Sequence, residues 1–577
     1  MKNRFSLPLV VLLLFALLLP AFVFAQQGQS PVGGGPSVSK SPARTASPDR
    51  RTSRTGRATN SSAIAAIERD FSEALTVIQE NYVDGKKLNY NDVFKSSIIG
   101  MLRSLDPHSN YYDREEFEEL RTDQRSEYYG IGASIGTQTV GDQTNTYILA
   151  TFRNSPAERA GLRFGDLIKE VDGEPMRGKA TVEVRDKIRG PRGSVVKLLV
   201  ERAANGRLET IEITRDAVSQ PSIPDAYMLK PGVGYIDMTH GFNFTTADEL
   251  QEALDELRAK GMTSLVLDLR NNPGGFLDQA VRVAQMFLRN GQLILTQKGR
   301  NEQREYKVKN EIGTQDSTPL VILVNGNTAS ASEIVAGAVQ DHDRGLIVGE
   351  TSFGKGLVQG IWPLEYGAGL TLTSAKYYTP SGRLIQRDYS NGGLYDYYTR
   401  GGSTRLDQQE EQTKKPTGPE SRTDTGRTVY GGGGISPDEV VKPRLITPQQ
   451  RRLLDPIFFF SRELVNGRLA GFDAYKVQRA IDFDRTLQPT DFPVTDALYK
   501  AFKAFVAKEP SWRFTSAQLD QNREFIALQL RFNLITAAYG SVKAGQVLIN
   551  DDPQVAKAIE VLPRARELAM AAMRGRT

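Results

Sequence analysis

The chain has 577 residues, no cysteine and three histidines. This excludes disulfides, thiolate nucleophiles, zinc–thiolate sites and iron–sulfur clusters, and it disfavours a histidine-rich metal site. Covalent catalysis would have to start from serine, threonine, lysine or a carboxylate. The net charge is +5, but residues 1–4 carry +2 and residues 26–62 carry +5. The rest of the chain is therefore slightly acidic, and its charge gives no indication of nucleic-acid binding.

The first 25 residues have the pattern of a secretory signal. Lys2 and Arg4 precede an apolar run over residues 7–24, and Ala25 is a small residue suited to a cleavage site. We predict cleavage after Ala25. The alternative is an uncleaved membrane anchor formed by residues 7–24, because this run is close to the length that spans a bilayer. Either outcome predicts an extracytoplasmic protein, in the bacterial periplasm or associated with the membrane.

Residues 26–62 are rich in Ser, Pro, Gly and Arg and predict a disordered basic linker. Residues 63–120 predict a helical region, because their apolar residues recur at helical spacing. The helices expected there are Ala63–Gln79, Tyr90–Leu105 and a third one that Asp113 caps and that runs to Leu120.

Residues 121–217 predict short strands separated by turns, with one helix over Thr181–Ile188. The segment from Asn154 to Gly173, Asn-Ser-Pro-Ala-Glu-Arg-Ala-Gly-Leu-Arg-Phe-Gly-Asp-Leu-Ile-Lys-Glu-Val-Asp-Gly, resembles a PDZ domain. This resemblance implies that an upstream glycine loop binds the terminal carboxylate of a peptide. Glycine lets successive N–H groups converge on an anion, and the peptide then adds as an extra strand. The residues of this loop are Gly130, Ile131, Gly132 and Ala133.

Ser134 lies in Gly132-Ala-Ser-Ile-Gly136, which matches the G-x-S-x-G pattern of a hydrolase nucleophile elbow. That elbow needs a strand before the serine and a helix after it. The residues from Thr137 to Phe152 predict a β-hairpin instead. We therefore do not expect Ser134 to be catalytic.

Residues 218–447 alternate apolar strands with helices, which is typical of an α/β layered domain. The expected strands are Gly234–Met238, Ser264–Leu269, Leu293–Gln297, Pro319–Val324 and Leu346–Val348, and the expected helices are Ala247–Lys260, Leu277–Leu288 and Ala331–Gln340. Within this domain, residues 391–434 are rich in Gly, Thr and Gln and predict a mobile insertion. Residues 448–577 predict a helical extension, with runs such as Leu453–Leu464 and Ala517–Tyr539.

Ser330 lies where a buried strand ends and a helix begins, in Val324-Asn-Gly-Asn-Thr-Ala-Ser-Ala-Ser-Glu-Ile334. Free backbone N–H groups at such a helix start can stabilise a developing oxyanion. Ser330, Ser332 and Glu333 also fit a purely structural role as helix-capping residues. This segment alone leaves both interpretations open.

Lys355 gives the serine a candidate base, in Phe353-Gly-Lys-Gly-Leu-Val-Gln359. A neutral lysine can activate a serine if burial lowers its pKa from about 10.4 to about 7–8. Residues four apart share a face of an extended chain, so Gln359 is placed to hold the amine. A lysine on an exposed hairpin would explain neither the flanking glycines nor Gln359.

The order Ala-Ser330-Ala-Ser-Glu-Ile and then Gly-Lys355-Gly-x-x-Gln resembles the carboxyl-terminal processing (tail-specific) peptidases. The resemblance extends over about residues 63–447, and its other motifs are Leu105-Asp-Pro-His-Ser109, Asp268-Leu-Arg-Asn-Asn-Pro-Gly-Gly275 and Tyr377-Tyr-Thr-Pro-Ser-Gly-Arg383. It implies a multidomain α/β fold, in which a crotonase-like, ClpP-like protease core carries a β-rich PDZ domain and helical regions flank both. It further implies Ser330 as nucleophile, with Ser332 as its rival, Lys355 as general base and Gln359 as the residue that orients Lys355.

The same resemblance implies an oxyanion hole and a sensor. The N–H of Ala331 would act together with that of Gly274 or Gly275, and the sequence does not indicate which glycine. Arg189, in Ile-Arg-Gly-Pro-Arg-Gly, resembles an arginine by which the PDZ domain senses substrate and supports the site. Histidine bases fit poorly. His342 falls where the resemblance predicts a helix end, and His108 falls in a structural turn.

These features predict an exported serine endopeptidase that recognises protein C-terminal ends through its PDZ domain. It would cleave peptide bonds through an acyl-enzyme, without a metal or cofactor. The expected partners are proteins or peptides with exposed C-termini, with no nucleic acid, and a homo-oligomer is left open.

Two other functions are weighed against this one. The first is a PDZ adaptor with an inactive core, which the complete Ser330–Lys355–Gln359 set opposes. The second is an acyl or thioester enzyme, which the PDZ domain and the export signal oppose. The sequence specifies neither the physiological substrate nor the cleavage preference, nor any activating partner.

Overall fold

The computed structural model describes residues 56–123, 127–309, 317–389, 397–398, 418–477 and 480–574. The predicted signal peptide and most of the predicted linker lie outside these residues. The first helix, α1 (Gly56–Asn81), begins within the predicted linker and seven residues before the expected helix start at Ala63. None of the helices in the described stretches is long and apolar enough to cross a membrane.

The N-terminal region continues with α2 (Tyr90–Arg103), strand β1 (Asn110–Tyr112) and α3 (Arg114–Asp123). Asp113 caps α3 as predicted. Its carboxylate accepts a hydrogen bond from the N–H of Glu116 at 3.0 Å, and the Glu116 carboxylate accepts one from the N–H of Asp113 at 3.1 Å. The ammonium of Lys95 on α2 lies 2.8 Å from Asp113 and 2.6 Å from Glu116. These ion pairs join α2 to the start of α3.

The next part of the chain is a β-rich unit. Its strands are β2 (Glu127–Gly130), β3 (Ala133–Val140), β4 (Gln143–Thr151), β5 (Leu167–Val171), β6 (Glu174–Pro175), β7 (Val195–Glu201), β8 (Leu208–Thr214) and β9 (Asp216–Ser219), and its helices are α4 (Pro156–Arg159) and α5 (Thr181–Ile188). The main sheet is antiparallel with the order β3-β4-β5-β7-β8, and β2 pairs separately with β9. Fully buried side chains such as Ile148, Leu162 and Val196 form its core. The predicted hairpin after Ser134 and the predicted helix α5 are both confirmed.

The α/β core follows. Its strands are β10 (Asp225–Lys230), β11 (Val233–Asp237), β12 (Ser264–Asp268), β13 (Leu293–Gly299), β14 (Gln303–Lys307), β15 (Leu320–Val324), β16 (Gly345–Gly349), β17 (Leu357–Pro363), β18 (Gly369–Tyr378), β19 (Glu420–Arg422), β20 (Thr428–Tyr430) and β21 (Glu439–Val440). Its helices are α6 (Thr246–Ala259), α7 (Leu277–Phe287) and α8 (Ala331–Asp341). The main sheet has the order β10-β11-β12-β15-β16-β21 and is parallel from β11 to β21. Because a parallel sheet needs both faces covered, its strands read as continuous apolar runs.

A second, antiparallel sheet has the order β1-β18-β13-β14, and β17 also pairs with β18. Strand β1 comes from the N-terminal region, and its Asn110 lies opposite Thr371. The N-terminal region therefore belongs to the same sheet as the hairpin β17–β18, which begins two residues after Lys355.

The C-terminal extension consists of α9 (Pro448–Val465), α10 (Asp496–Ala507), α11 (Ser516–Gln521), α12 (Arg523–Tyr539), α13 (Ser541–Ile549) and α14 (Pro553–Arg574). The apolar run predicted as one helix, Ala517–Tyr539, is divided at Asn522. The Asn522 amide donates hydrogen bonds to the Gln518 carbonyl at 2.8 Å and to the Gln449 side chain at 3.1 Å. Asparagine competes in this way with the helical backbone, and α11 ends there.

The extension contacts both preceding units. Tyr147 and Phe164 of the β-rich unit share one apolar cluster with Phe458 and other residues of α9, α10 and α12, and the rings of Tyr147 and Phe458 lie 5.2 Å apart. The carboxylate of Asp455 accepts a hydrogen bond from the N–H of Thr139 at 3.1 Å. Helix α14 packs on the face of the parallel sheet opposite α6, α7 and α8. The extension thus links the β-rich unit to the core.

Residues 418–434 belong to the segment predicted as a mobile insertion, 391–434, but they form the hairpin β19–β20. Arg427 in this hairpin pairs with Asp343 at 2.6 Å and also with Asp438. The carboxylate of Asp424 lies 2.8 Å from the ring of His342. These contacts to the core fix the hairpin, and composition alone does not reveal them. Most of residues 391–417 lies outside the described residues.

Candidate active site

Ser330 occupies the turn between β15 and α8, at the junction that the sequence predicts. Its φ of +56° is unusual for a residue with a side chain. Thr328 holds the turn, because its hydroxyl donates to the Leu269 carbonyl at 2.8 Å. The N–H of Ala329 donates to the Asn272 carbonyl at 2.9 Å. The turn that carries Ser330 is therefore bound to the segment that follows the neighbouring strand β12.

Glu333 joins the two segments that the sequence singles out. Its side chain is fully buried. One carboxylate oxygen accepts hydrogen bonds from the N–H groups of Ser330 and Lys355, each at 2.8 Å. The other oxygen accepts from the N–H of Gly354 at 2.7 Å and from the hydroxyl of Ser352 at 2.5 Å. Burial raises the pKa of Glu333, and these four hydrogen bonds oppose that rise.

The Glu333 oxygen that binds both N–H groups limits the distance between the segment of Ser330 and the segment of Lys355. The backbone nitrogens of Ser330 and Lys355 cannot be farther apart than the two hydrogen bonds combined. The Ser330–Glu333 bond is also half of the capping box expected for α8. The structural and the catalytic interpretations of this segment are therefore compatible, since the same carboxylate both caps the helix and positions the lysine segment.

Lys355 is half-buried in this site. Burial lowers its pKa to about 8, although Glu333 and Asp106 both favour the charged form. Among the hydrogen bonds and ion pairs of the described residues, none engages its ammonium. A lysine in this state can accept a proton near neutral pH.

Gln359 does not bond Lys355 in the described contacts. Its amide donates to the Thr373 hydroxyl at 3.1 Å. The expectation that residues 355 and 359 share a face assumed an extended chain, but β17 begins only at Leu357 and its pairing with β18 shifts at Val358–Gln359. The orienting role of Gln359 stays a prediction.

Gly274 lies against the serine turn. A Cβ at Gly274 would stand 2.7 Å from the Cβ of Ser330 and 2.9 Å from the backbone nitrogen of Ala331. Its φ of +95° also favours glycine. Only glycine therefore allows this approach, although the N–H of Gly274 already donates to the Asn272 side chain at 2.9 Å.

Gly275 is the other candidate for the oxyanion hole. A Cβ there would stand 2.1 Å from the Phe242 carbonyl oxygen, so this position also requires glycine. Within the described part of the chain, no hydrogen-bond acceptor is found for the N–H of Gly275 or for that of Ala331. These two N–H groups flank the Gly274–Ser330 contact and are free to bind an anion.

Ser332, the rival nucleophile, is fully buried, and its hydroxyl donates to the Asn272 carbonyl at 3.2 Å. Its side chain therefore reinforces the contact between the two turns. Ser330, by contrast, keeps part of its surface exposed.

The predicted peptide-binding loop lies between β2 and β3. The carbonyls of Ile131 and Gly132 accept hydrogen bonds from Ala157 at 2.7 Å and from Phe152 at 3.0 Å, which fixes the loop against its own unit. Burial raises the pKa of the neighbouring Tyr128 to about 12, and a hydrogen bond from the N–H of Gly132 opposes this. The positive charge of Arg189 also favours the ionised form of Tyr128.

Arg189, the predicted sensor, contacts the N-terminal region. Its guanidinium lies 3.3 Å from Glu119 on α3 and 5.0 Å from the ring centre of Tyr128. The described contacts do not connect Arg189 with Ser330 or Lys355. Its sensing role stays a prediction.

Two of the three histidines, His342 and His240, are engaged elsewhere. His342 is at the far end of α8 from Ser330, about 18 Å along the axis, and both of its ring nitrogens have partners, Asp424 at 2.8 Å and the Leu293 carbonyl at 2.7 Å. Nδ1 of His240 lies 2.9 Å from the Pro221 carbonyl. No cluster of acidic or histidine side chains in the described residues is suited to hold a metal.

Sequence reasoning missed two features of the site. It assigned Glu333 only a capping role, and it treated Asp106-Pro-His-Ser109 as a structural turn, although the negative charge of Asp106 raises the pKa of Lys355. The sequence signal for both features was the resemblance to the carboxyl-terminal processing peptidases, because the motifs that contain Glu333 and Asp106 belong to that resemblance. Their chemical connection to Lys355 depends on the folded chain.

Comparisons with known proteins identify both units. Peptidase family S41 matches residues 232–397, and the PDZ domain matches residues 153–202. The carboxy-terminal-processing protease of Bartonella bacilliformis is 37% identical over 55% of this chain and 72% of its own length. The carboxy-terminal processing protease CtpA of Bacillus subtilis is 34% identical over 55% of this chain and 66% of its own.

A solved structure of the photosystem II D1 C-terminal processing protease is 32% identical, with a TM-score of 0.32, and covers 54% of this chain and 88% of that one. The predicted α/β fold, with a PDZ domain and helical regions at both ends, is confirmed, and so is the predicted resemblance. The chain belongs to peptidase family S41, as a carboxyl-terminal processing protease with a PDZ domain.

Proposed function

We propose that this chain is an exported serine endopeptidase that binds C-terminal ends of proteins through its PDZ domain and cleaves them with Ser330 and Lys355. The assignment of Ser330 and Lys355 rests on the buried carboxylate of Glu333. One of its two oxygens accepts hydrogen bonds from the N–H groups of both Ser330 and Lys355. Family membership supplies the class of reaction. The carboxylate of Glu333, which binds both segments, supports Ser330 and Lys355 as the catalytic pair of that reaction.

Acylation begins when the neutral amine of Lys355 takes the proton of the Ser330 hydroxyl. The oxygen of Ser330 attacks the peptide carbonyl carbon, and the carbonyl electrons move onto its oxygen. With the pKa of Lys355 at about 8, about a tenth of the lysine is neutral at pH 7. The N–H groups of Ala331 and Gly275 would stabilise the oxyanion. Gly275 is favoured over Gly274, because the N–H of Gly274 already has an acceptor.

The tetrahedral intermediate then collapses. The Lys355 ammonium returns its proton to the leaving nitrogen, the carbon–nitrogen bond breaks, and the carbonyl remains as an ester on Ser330. Water attacks this acyl-enzyme while Lys355 again accepts a proton. The second tetrahedral intermediate then collapses: the ester bond to Ser330 breaks, the Lys355 ammonium gives its proton to the Ser330 oxygen, and the carboxylic acid is released. Lysine thus serves as base and acid in both halves of the reaction.

Substrate selection would depend on the loop Gly130–Ala133. PDZ domains bind peptides by strand addition and hold the terminal carboxylate with backbone N–H groups. A peptide with a free C-terminus should therefore bind better than its amidated form. The anchored carbonyls of this loop support a preformed site.

Export rests on residues 1–25. The basic start, the apolar run and Ala25 support secretion across a bacterial inner membrane. Fractionation of cells that express the full chain, with N-terminal sequencing, would test this. A mature start at Gln26 supports a cleaved signal, an intact N-terminus in the membrane fraction supports an anchor, and a cytoplasmic product would refute export.

One experiment separates the peptidase from its alternatives. The purified protein, Ser330→Ala and the control Ser134→Ala are incubated with an unfolded protein that ends in apolar residues, with and without EDTA. We expect cleavage by the wild type and by Ser134→Ala in both conditions, and none by Ser330→Ala. Cleavage by Ser330→Ala would refute the nucleophile, and no cleavage by the wild type would favour the PDZ adaptor. Equal cleavage of a C-terminally amidated substrate would refute recognition of the carboxylate.

A further inference from the structure

The turn Asp106–Ser109 is built around one buried carboxylate. Asp106 and Ser109 are each less than one-tenth exposed. One oxygen of Asp106 accepts hydrogen bonds from the N–H groups of His108 and Ser109, both at 2.8 Å, and the other accepts from the Ser109 hydroxyl at 2.7 Å. The carboxylate thereby fixes where the side chains of His108 and Ser109 point.

Ser109 links this turn to Gln359. Its hydroxyl oxygen accepts a hydrogen bond from the N–H of Thr373 at 3.1 Å. The hydroxyl of Thr373 accepts one from the Gln359 amide, also at 3.1 Å. The strand β1, which begins at Asn110, pairs with β18 around Thr371. The turn is therefore held against the hairpin that follows Lys355.

His108 links the same turn to Gly356. Nε2 of His108 and the hydroxyl of Tyr397 lie 2.7 Å apart. The Tyr397 hydroxyl accepts a hydrogen bond from the Gln386 amide at 3.1 Å, and the Gln386 carbonyl accepts one from the N–H of Gly356 at 2.8 Å. Two chains of hydrogen bonds thus lead from the Asp106 carboxylate to Gly356 and to Gln359, the residues directly after and four after Lys355.

The charges around the turn also affect Lys355. Burial lowers the pKa of Lys355, while Glu333 from α8 and Asp106 from the turn raise it. The pKa of His108 is lowered to about 2 by burial and by the positive charges of Lys355 and Arg387, so His108 is neutral. The negative charges of Glu333 and Asp106 therefore both favour the charged form of Lys355. Glu333 also holds its backbone nitrogen, and Asp106 acts through the turn.

We propose that Asp106 is a positioning residue for Lys355, which anchors the lysine segment through the turn Asp106–Ser109 and supplies a negative charge toward its ammonium. The inference rests on the proposed role of Lys355 as base. The proposed role gives a function to the turn Asp106–Ser109, which lies almost 250 residues before Lys355 in the chain. This turn is outside residues 232–397, the part of the chain that matches peptidase family S41. The N-terminal region would thereby form part of the active site.

The test compares Asp106→Asn with two other variants. Asparagine keeps an oxygen that can accept the turn's N–H bonds but removes the charge. Ser109→Ala keeps the charge but breaks the chain to Thr373. Asp113→Asn makes the same chemical change in the nearby Lys95 ion pair and does not contact the lysine segment. Thermal unfolding confirms that each variant is folded before kinetics are compared.

We expect the acid limb of kcat/KM to move to lower pH in Asp106→Asn, because loss of the carboxylate favours the neutral lysine. Its maximal rate should fall on the order of tenfold, the scale of a small misplacement of a reacting group. Ser109→Ala should lower the rate without moving the limb, and Asp113→Asn should move neither. An unmoved limb in Asp106→Asn, or an equal shift in Asp113→Asn, would overturn the proposal.

A second measurement keeps this inference separate from the proposed function. In the Ser330→Ala background, the rate at which acetic anhydride modifies Lys355 is followed against pH by peptide mass spectrometry. A midpoint near pH 8 that falls on addition of Asp106→Asn supports both ideas. A midpoint near 8 that does not fall refutes only the role of Asp106. A midpoint near the ordinary lysine value, about 10.4, refutes Lys355 as the base.

Discussion

Ser134 and Ser330 each follow an alanine, but their backbones differ. Ser134 lies within β3, opposite Ala150 in an antiparallel pair whose register shifts between Ser134 and Ile135, and a second strand follows it. Ser330 lies between a parallel strand and a helix, with a φ of +56° and the open N–H of Ala331 after it. The G-x-S-x-G pattern occurs at Ser134. Under the proposed function, the strand–turn–helix context distinguishes the nucleophile, and the flanking glycines do not.

The largest effect is expected from the substitution of Lys355, which tests whether Ser330 depends on this lysine as its base. We expect Lys355→Met to lower kcat by about a thousandfold or more, because the serine loses its base. The double variant with Ser330→Ala should be no worse than either single one, since residues that act as a unit are not additive. The measurement is kcat on the unfolded substrate. Losses that multiply in the double variant would contradict a shared role.

The next effect is the pH dependence that a lysine base imposes. Lys355 must be neutral to accept a proton, and its pKa is lowered to about 8. Activity should therefore rise about tenfold per pH unit below pH 8 and level off above it. The check is kcat/KM between pH 6 and 9.5, with binding of a C-terminal peptide followed in parallel as the control. A limb near pH 6.5 would indicate a histidine base instead.

A smaller effect concerns Glu333, which has no counterpart at Ser134. In Glu333→Gln an NH2 group replaces one carboxylate oxygen and so faces two hydrogen-bond donors. The segments that carry Ser330 and Lys355 should therefore be held together less tightly. We expect activity to fall about tenfold and the free energy of unfolding to fall by about 2 kcal/mol. Kinetics and urea denaturation measure the two quantities.

The matched control for this variant is Glu256→Gln, at an exposed position on α6. It should change the free energy of unfolding by less than about 0.5 kcal/mol and leave activity unaltered. If the two variants behave alike, Glu333 does not connect the segments in the way the geometry indicates.

The smallest effect is expected at Ser134 itself. Ser134→Ala should leave kcat/KM within about twofold of the wild type and stability within about 0.5 kcal/mol. Kinetics on the same substrate and a thermal unfolding curve measure both. A loss comparable to that of Lys355→Met would reverse the comparison between the two serines.

Sequence alone predicts those parts of the molecule that local patterns encode. The apolar runs of β12, β15 and β16 predict buried parallel strands, and the small residues after β15 predict the turn at Ser330. The PDZ domain follows from the segment beginning at Asn154. In each case the residues that carry the signal are neighbours in the chain.

Features that depend on distant residues could not be predicted in this way. Glu333 connects two segments only because residues 352–355 fold back onto α8. Lys355 and Gln359 do not share a strand face, because the strand starts after the lysine. Asn522 divides one predicted helix in two through side-chain hydrogen bonds. Composition predicted mobility for residues 418–434, but ion pairs with the core hold them.

The contact between the PDZ unit and the C-terminal extension has a consequence for the order of folding. Thr139 and Asp455 are 316 residues apart in the chain, and the apolar cluster that unites Tyr147 and Phe164 with α9 and α12 spans a similar distance. Domains generally fold as the chain emerges, N-terminal first. The PDZ unit would therefore expose Tyr147 and Phe164 until the extension arrives. During that interval the protein is open to aggregation and to degradation by other proteases.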